Sequence, residues 1–324
     1  GWERIPDPEA AGWIHGLGGW ASVRIDPTTG GLVGMKSATT GRSWANASKP
    51  LAQFRYQTLT EDDYATWRSD YLAKDCDYEY GKPGQQTAIP TPTHQLVSPT
   101  LGSLWRRSAV GEPDALLLKL EIPQPLHRDA GAPAAAELKL RFPNASGEVI
   151  EMDLVLINKT ATRLGEAAFF TFNPSLDGTA AGSWWMDKVS EWVSPLEVVD
   201  GGSKGLHGIS SGVRFDVTSS TATHAPSSGA HAPSSGIHAS SASMHASSLD
   251  AGLVVWSSPD PFPSPIHKDP DLSEGASFML WNNIWNTNYV SRLGWNPSAT
   301  AKHCHRLAPL QPDTATAWHR HDAS

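Results

Sequence analysis

Apolar and polar side chains alternate along most of this chain with a period of two rather than 3.6, so strands dominate the reading. Ala21 to Ile25 alternates, Asp26 to Gly31 supplies turn chemistry, and Leu32 to Met35 resumes the pattern, which predicts a hairpin. Leu51 to Leu59 carries aromatic and β-branched residues at alternate positions. Further strands are expected at Leu104 to Val110, Ala115 to Ile122, Glu137 to Phe142, Glu148 to Asn158 and Ala167 to Phe172, then at Gly212 to Val217 and Leu253 to Trp256. Within Glu148 to Asn158, Met152, Leu154 and Leu156 share one face, while Val155 and Ile157 share the other with Asp153. Apolar residues on both faces predict a strand between two packed layers. Glu61 to Tyr71 is the best helix candidate. Thr60 can cap it, acidic residues follow, and Tyr64, Trp67 and Tyr71 fall at i, i+3 and i+7. The expected fold class is mainly β, a large antiparallel β-sandwich with few short helices.

From Thr218 to Asp250 the composition narrows to His, Ala, Ser, Pro and Gly, and His224, His231, His238 and His245 recur every seven residues. The repeat lacks the apolar pair of a coiled coil and offers little surface to bury against the entropy of ordering. Residues 218–249 are therefore expected to form a disordered insertion. The expected organisation is one β unit over 1–217 and 250–296, that insertion, and a divergent tail over 297–324 that frays.

Among 324 residues the net charge is -8, with no dense Lys/Arg patch, which argues against a nucleic-acid partner. No apolar run has the length of a membrane-spanning helix. The chain opens on Gly1 rather than Met, which reads as a piece excised from a longer protein, so a missing leader carries no weight. Two cysteines, Cys76 and Cys304, leave a bridge and two free thiols equally open. Sequons at Asn46, Asn144 and Asn158 lean towards a secreted or lumenal setting.

Candidate chemistry concentrates in Ser277 to Trp295, SFMLWNNIWNTNYVSRLGW. Trp281 and Trp285 offer flat indole faces for the CH side of a pyranose, and the amides of Asn282, Asn283 and Asn288 suit its hydroxyls. The competing explanation is a buried strand whose Asn residues satisfy neighbouring backbone. Asn158 to Ala167 gathers Lys159, Arg163 and Glu166, where Arg163 and Glu166 can form an ion pair at a sheet corner or Glu166 can accept from a ligand hydroxyl. Trp184, Trp185 and Trp192 make a second aromatic cluster, with buried packing as the default role. His303 with His305, and His319 with His321, do not have structural-zinc spacing, and the His repeat lacks a fixed coordination shell. No nucleophile elbow, phosphate loop or zinc-protease motif occurs, and no two carboxylates are paired by spacing.

Three blocks in order, NKTATRLGEAAFFTFNP (Asn158 to Pro174), MDKVSEWVSPLEVVDGGSKGLHGI (Met186 to Ile209) and SFMLWNNIWNTNYV (Ser277 to Val290), resemble the carboxyl-terminal half of the α-mannosidase-like proteins of domain of unknown function 5054. DPTTGGLVGMKSATTGRSWA and FRYQTLTEDDYATW resemble the start of that half, so the likeness spans roughly residues 15 to 295. It implies kinship with glycoside hydrolase family 38, whose amino-terminal α/β domain holds zinc and the nucleophile and is followed by galactose-mutarotase-like sandwich domains. Only the latter are resembled here, so no catalytic residue carries over, and zinc is expected only in that other domain. The repeat and the residues after Trp295 depart from the family pattern, leaving the last strand in doubt.

The resulting expectation is the non-catalytic β-sandwich region of a glycoside-hydrolase-like protein. It would support an N-terminal catalytic domain of the same polypeptide and contact carbohydrate through Trp281, Asn282, Asn283, Trp285 and Asn288, with Arg163 and Glu166 second. The alternatives are a free-standing carbohydrate-binding module and a mutarotase-like lyase or epimerase.

Overall fold

A computed structural model describes residues 1–7, 12–71, 85–143, 147–178, 182–199, 202–217, 242–256 and 269–284, together with the backbone of 301–310. The expected first hairpin forms between strands Trp20–Ile25 and Leu32–Ser37, its turn closed by Asp26. That carboxylate accepts from Thr28 N and Thr29 Oγ1, while Gly30 takes the positive φ of 64° that closes the turn. The expected helix Glu61–Tyr71 is capped reciprocally: Thr60 N donates to Asp63 Oδ2 at 2.6 Å and Asp63 N to Thr60 Oγ1 at 3.3 Å.

In chain order the first strands are β1 (Glu3–Ile5), β2 (Ile14–Leu17), β3 (Trp20–Ile25), β4 (Leu32–Ser37) and β5 (Ala52–Thr58), followed by helix α1 (Glu61–Tyr71). Next come β6 (Gln95–Val97), β7 (Thr100–Arg107), β8 (Asp114–Glu121), helix α2 (Gln124–Ala130), β9 (Ala135–Phe142), β10 (Ile150–Ile157) and β11 (Glu166–Phe172). The remainder holds β12 (Gly182–Lys188), β13 (Glu191–Val193), β14 (Leu206–Gly208), β15 (Gly212–Val217), β16 (Ala242–Ser248), β17 (Leu253–Trp256), β18 (Ala276–Asn283) and β19 (Ala301–Leu310).

These strands make two antiparallel sheets. The ten-stranded sheet runs β1-β7-β8-β9-β10-β19-β16-β15-β12-β13. The nine-stranded sheet runs β14-β17-β18-β11-β5-β4-β3-β2, with β6 added on β5. The inward faces bury one continuous core, with Leu116, Leu118, Leu138, Leu154 and Phe215 from the first sheet and Tyr56, Phe170, Phe172, Trp256 and Phe278 from the second. The molecule is thus mainly β, in a sandwich-like pairing of antiparallel sheets.

Three expectations need correction. The supposed insertion ends inside a strand. β16 occupies 242–248 and alternates, with Met244 and Ala246 in the core and Ser243 and His245 on the opposite face. Its low-complexity composition conceals two inward apolar positions, which suffice because β15 and β19 flank it on both sides. The remainder of the repeat, 218–241, lies outside the described residues. The tail also contributes: β19 pairs with β10 from Ile150↔Leu307 to Leu156↔Ala301, and with β16 from Ser243↔Leu310 to Ser248↔His305. Residues 311–324 lie outside the described residues. Finally, β10 does not sit between two layers. Its Met152, Leu154 and Leu156 face is sealed in the core, while Glu151, Val155 and Ile157 are only half-buried. It is β11 that is buried at every residue.

Candidate functional site

Glu166 opens β11 on the inward face, in line with Ala168, Phe170 and Phe172, so a carboxylate is carried to the margin of the core. A charge there requires a partner. The chain leaves β10 through Asn158, at a positive φ of 52°, and this turn sends Lys159 inward. Lys159 Nζ lies 2.8 Å from Glu166 Oε1 and donates also to Thr160 O at 2.7 Å. The two side chains are only 3% and 4% exposed. On the other side the Tyr56 hydroxyl from β5 donates to Glu166 Oε2, and it lies 3.2 Å from the Ala130 carbonyl that ends α2. Burial, reinforced by the neighbouring negative charge and this hydrogen bond, pushes the Tyr56 phenol well above its ordinary pKa. A phenol held this way stays protonated as a donor.

The loop behind the trio is braced by amides. Asn283 Nδ2 donates to Thr162 O at 2.8 Å and Leu164 O at 3.1 Å. Gln85 bridges Leu59 and Gly165, donating to the first carbonyl at 3.0 Å and accepting from the second residue's N–H at 3.1 Å. Tyr64 Oη donates to Ile284 O at 2.7 Å, which ties α1 to the end of β18.

Against this braced wall opens a groove of about 390 Å³, within the size range of small-molecule sites. Pro90, Pro92, Pro123 and Pro125 give it stiff apolar walls, while Thr58, Thr93 and Gln95 add neutral polar groups. Thr58 Oγ1 donates to Thr93 O at 2.7 Å, pinning one wall to β5. Asp129 is the acid on the lining, held below the usual carboxylate range by its hydrogen bonds to the Arg128 guanidinium.

The predicted residues divide as follows. Glu166, Trp281 and Asn283 converge on this corner, and Trp281 packs its ring 6.2 Å from that of Tyr56, tilted by 50°. Asn282, on the exposed side of β18, donates to Met279 Sδ at 3.0 Å. Arg163 is exposed in the loop and does not hold Glu166; Lys159 does, because the turn at Asn158 directs it inward. Trp285 and Asn288 lie outside the described residues, as does Cys76. Sequence reasoning missed Tyr56, Gln85 and the proline walls. The alternating Pro90-Thr91-Pro92-Thr93 run was the available signal for the last of these.

The fold and this corner define a β-sandwich with a ligand-sized groove beside a closed acid–base trio. Residues 15–150 match the family model described as Domain of unknown function (DUF5054). The match covers β2 to the start of β10 and so supplies Tyr56 and most of the groove, whereas Lys159, Glu166 and Asn283 fall after it. No curated protein matches the chain.

Proposed function

We propose that this chain is the non-catalytic β-sandwich region of a glycoside-hydrolase-like protein of α-mannosidase type, supporting a catalytic domain of the same polypeptide and contacting carbohydrate. The observation that carries the reading is the closure of Glu166. Both of its oxygens are engaged by Lys159 and Tyr56 behind the groove wall, which makes the trio a brace and not an acid or base open to substrate. The DUF5054 match and the ordered blocks beyond it support the family side of the proposal.

A place for docking supports the rest. Val189 and Leu249 are 86% and 81% exposed, and Leu253 is 40% exposed. The segments that carry them are all linked to residues 208–211. Val189 N donates to Ser210 Oγ, Ser248 N to Ser211 O, and Gly208 pairs with Leu253. Apolar side chains on neighbouring turns are costly in water and suit a covered surface. The test is turnover of aryl α-mannosides and related glycosides by the 324-residue chain alone. No turnover is expected. Turnover abolished by Glu166→Gln would overturn the proposal.

A further inference from the structure

The outward face of the ten-stranded sheet carries an aromatic ladder that the groove does not use. On β12, Trp184 and Met186 enter the core, so Trp185 between them faces outward. On β15, Val213, Phe215 and Val217 enter the core, leaving Arg214 and Asp216 outside. Register sets Trp185 beside Arg214, Arg214 beside His245, and Asp216 beside Ser243. Trp192 pairs with Asp187 on the edge strand β13.

The guanidinium of Arg214 joins these strands. Its Cζ is 4.8 Å from the Trp192 ring centre and 5.6 Å from that of Trp185, within the range of cation–π attraction. The Trp192 ring also stands 5.5 Å from the His245 ring, at 84°. β13 and β16 are three strand steps apart, about 14 Å at ordinary strand spacing. Contact across that distance requires the Trp192 indole to lie over the sheet, covering Arg214 with one face. The residue is half-buried, which leaves part of the ring open to solvent.

Positive charge is not in surplus at this place, since Arg214 shares this face with Asp216 and, across from Trp192, with Asp187. Arg214 Nε is 3.1 Å from Asp216 Oδ1, and Ser243 Oγ donates to the same oxygen at 2.7 Å. Asp187 is occupied by Ser190 N and Ser211 Oγ, so an anionic ligand would meet no uncompensated cation here. A carboxylate accepts about four hydrogen bonds, so Asp216 retains capacity next to the Arg214 guanidinium that the indole covers. We infer that Trp192, with Trp185 and Asp216 beside it, is a stacking platform for the CH face of a neutral sugar ring. The inference rests on the carbohydrate side of the proposed function but places contact on a different surface from the Glu166 corner.

The experiment measures binding of neutral oligosaccharides to the whole chain by calorimetry, with indole N–H resonances followed by NMR. Trp192→Ala weakens binding at least tenfold while the melting transition stays cooperative, Trp192→Phe retains most of it, and sugar shifts the Trp192 indole signal. Should Trp192→Ala fail to fold, the Phe variant and the resonance shift still decide. Binding untouched by Trp192→Ala but lost in Trp281→Ala overturns the platform and leaves carbohydrate contact at the Glu166 corner intact. Absence of binding to any neutral sugar at millimolar concentration overturns both.

Discussion

Lys159 Nζ sits 2.8 Å from Glu166 Oε1 in a corner where neither side chain exceeds 4% exposure. Removing one partner strands the other charge without water. Lys159→Met is expected to cost about 3–5 kcal/mol. Pairing it with Glu166→Leu should recover most of that loss, because no orphan charge remains. Urea midpoints for the single and double variants check this. A single variant within 1 kcal/mol of the parent would contradict the burial argument.

The hairpin between β12 and β13 turns on Val189 and Ser190, at φ of 57° and 72°. Both values are left-handed, as a type I′ turn requires, and a β-branched side chain pays a steric penalty there. The turn is imposed by Asp187, whose Oδ1 accepts from Ser190 N at 2.8 Å. Val189→Gly is expected to stabilise the protein by about 1 kcal/mol. Thermal melting should register the gain, and a loss would mean that the Val189 side chain is held by something other than solvent.

His207 is buried on β14, where desolvation lowers its pKa below the ordinary value. The carbonyl of Lys204, 3.0 Å from Nε2, opposes that shift, and the charge of Lys188 adds to it. The folded state therefore binds fewer protons than the unfolded chain once pH falls below about 6.5. Stability should decline through that window as acid is added and be fully present above it. Replacing His207 by Gln should flatten the decline in a series of melts from pH 7.5 to 5. An unchanged slope would remove His207 from the account.

Met244 tests whether the end of the repeat is core. Met244→Ala is expected to cost 2–5 kcal/mol, roughly the loss for a buried Met, while Ser247→Ala on the half-buried side should stay within about 0.5 kcal/mol. Equal and negligible effects would return the segment to a loop.

What the sequence disclosed was whatever local chemistry determines. Asp26 closes its own turn, Thr60 and Asp63 cap α1, and the bounds of β15 follow from alternating side chains and those of β17 from a short apolar run. β16 was illegible because Ser, Ala and His mask Met244 and Ala246, and only the neighbours on either side make two small apolar contacts sufficient. The Glu166 corner was half legible. The charges were evident, but the cation that reaches the acid depends on the backbone turn at Asn158, which no charge pattern reports. The two consecutive tryptophans show the same limit: Trp184 is core and Trp185 is surface, decided by pleat alone.

β19 joins two halves of one sheet that are otherwise separate. Strands β1 and β7 to β10 lie on one side of it, and β16, β15, β12 and β13 on the other. The ten-stranded layer cannot close until this late-translated stretch has emerged from the ribosome. Until then β10 and β16 keep bare backbone edges, on which a wrong strand could pair. A deletion that stops before Ala301 would leave that seam permanently unfilled.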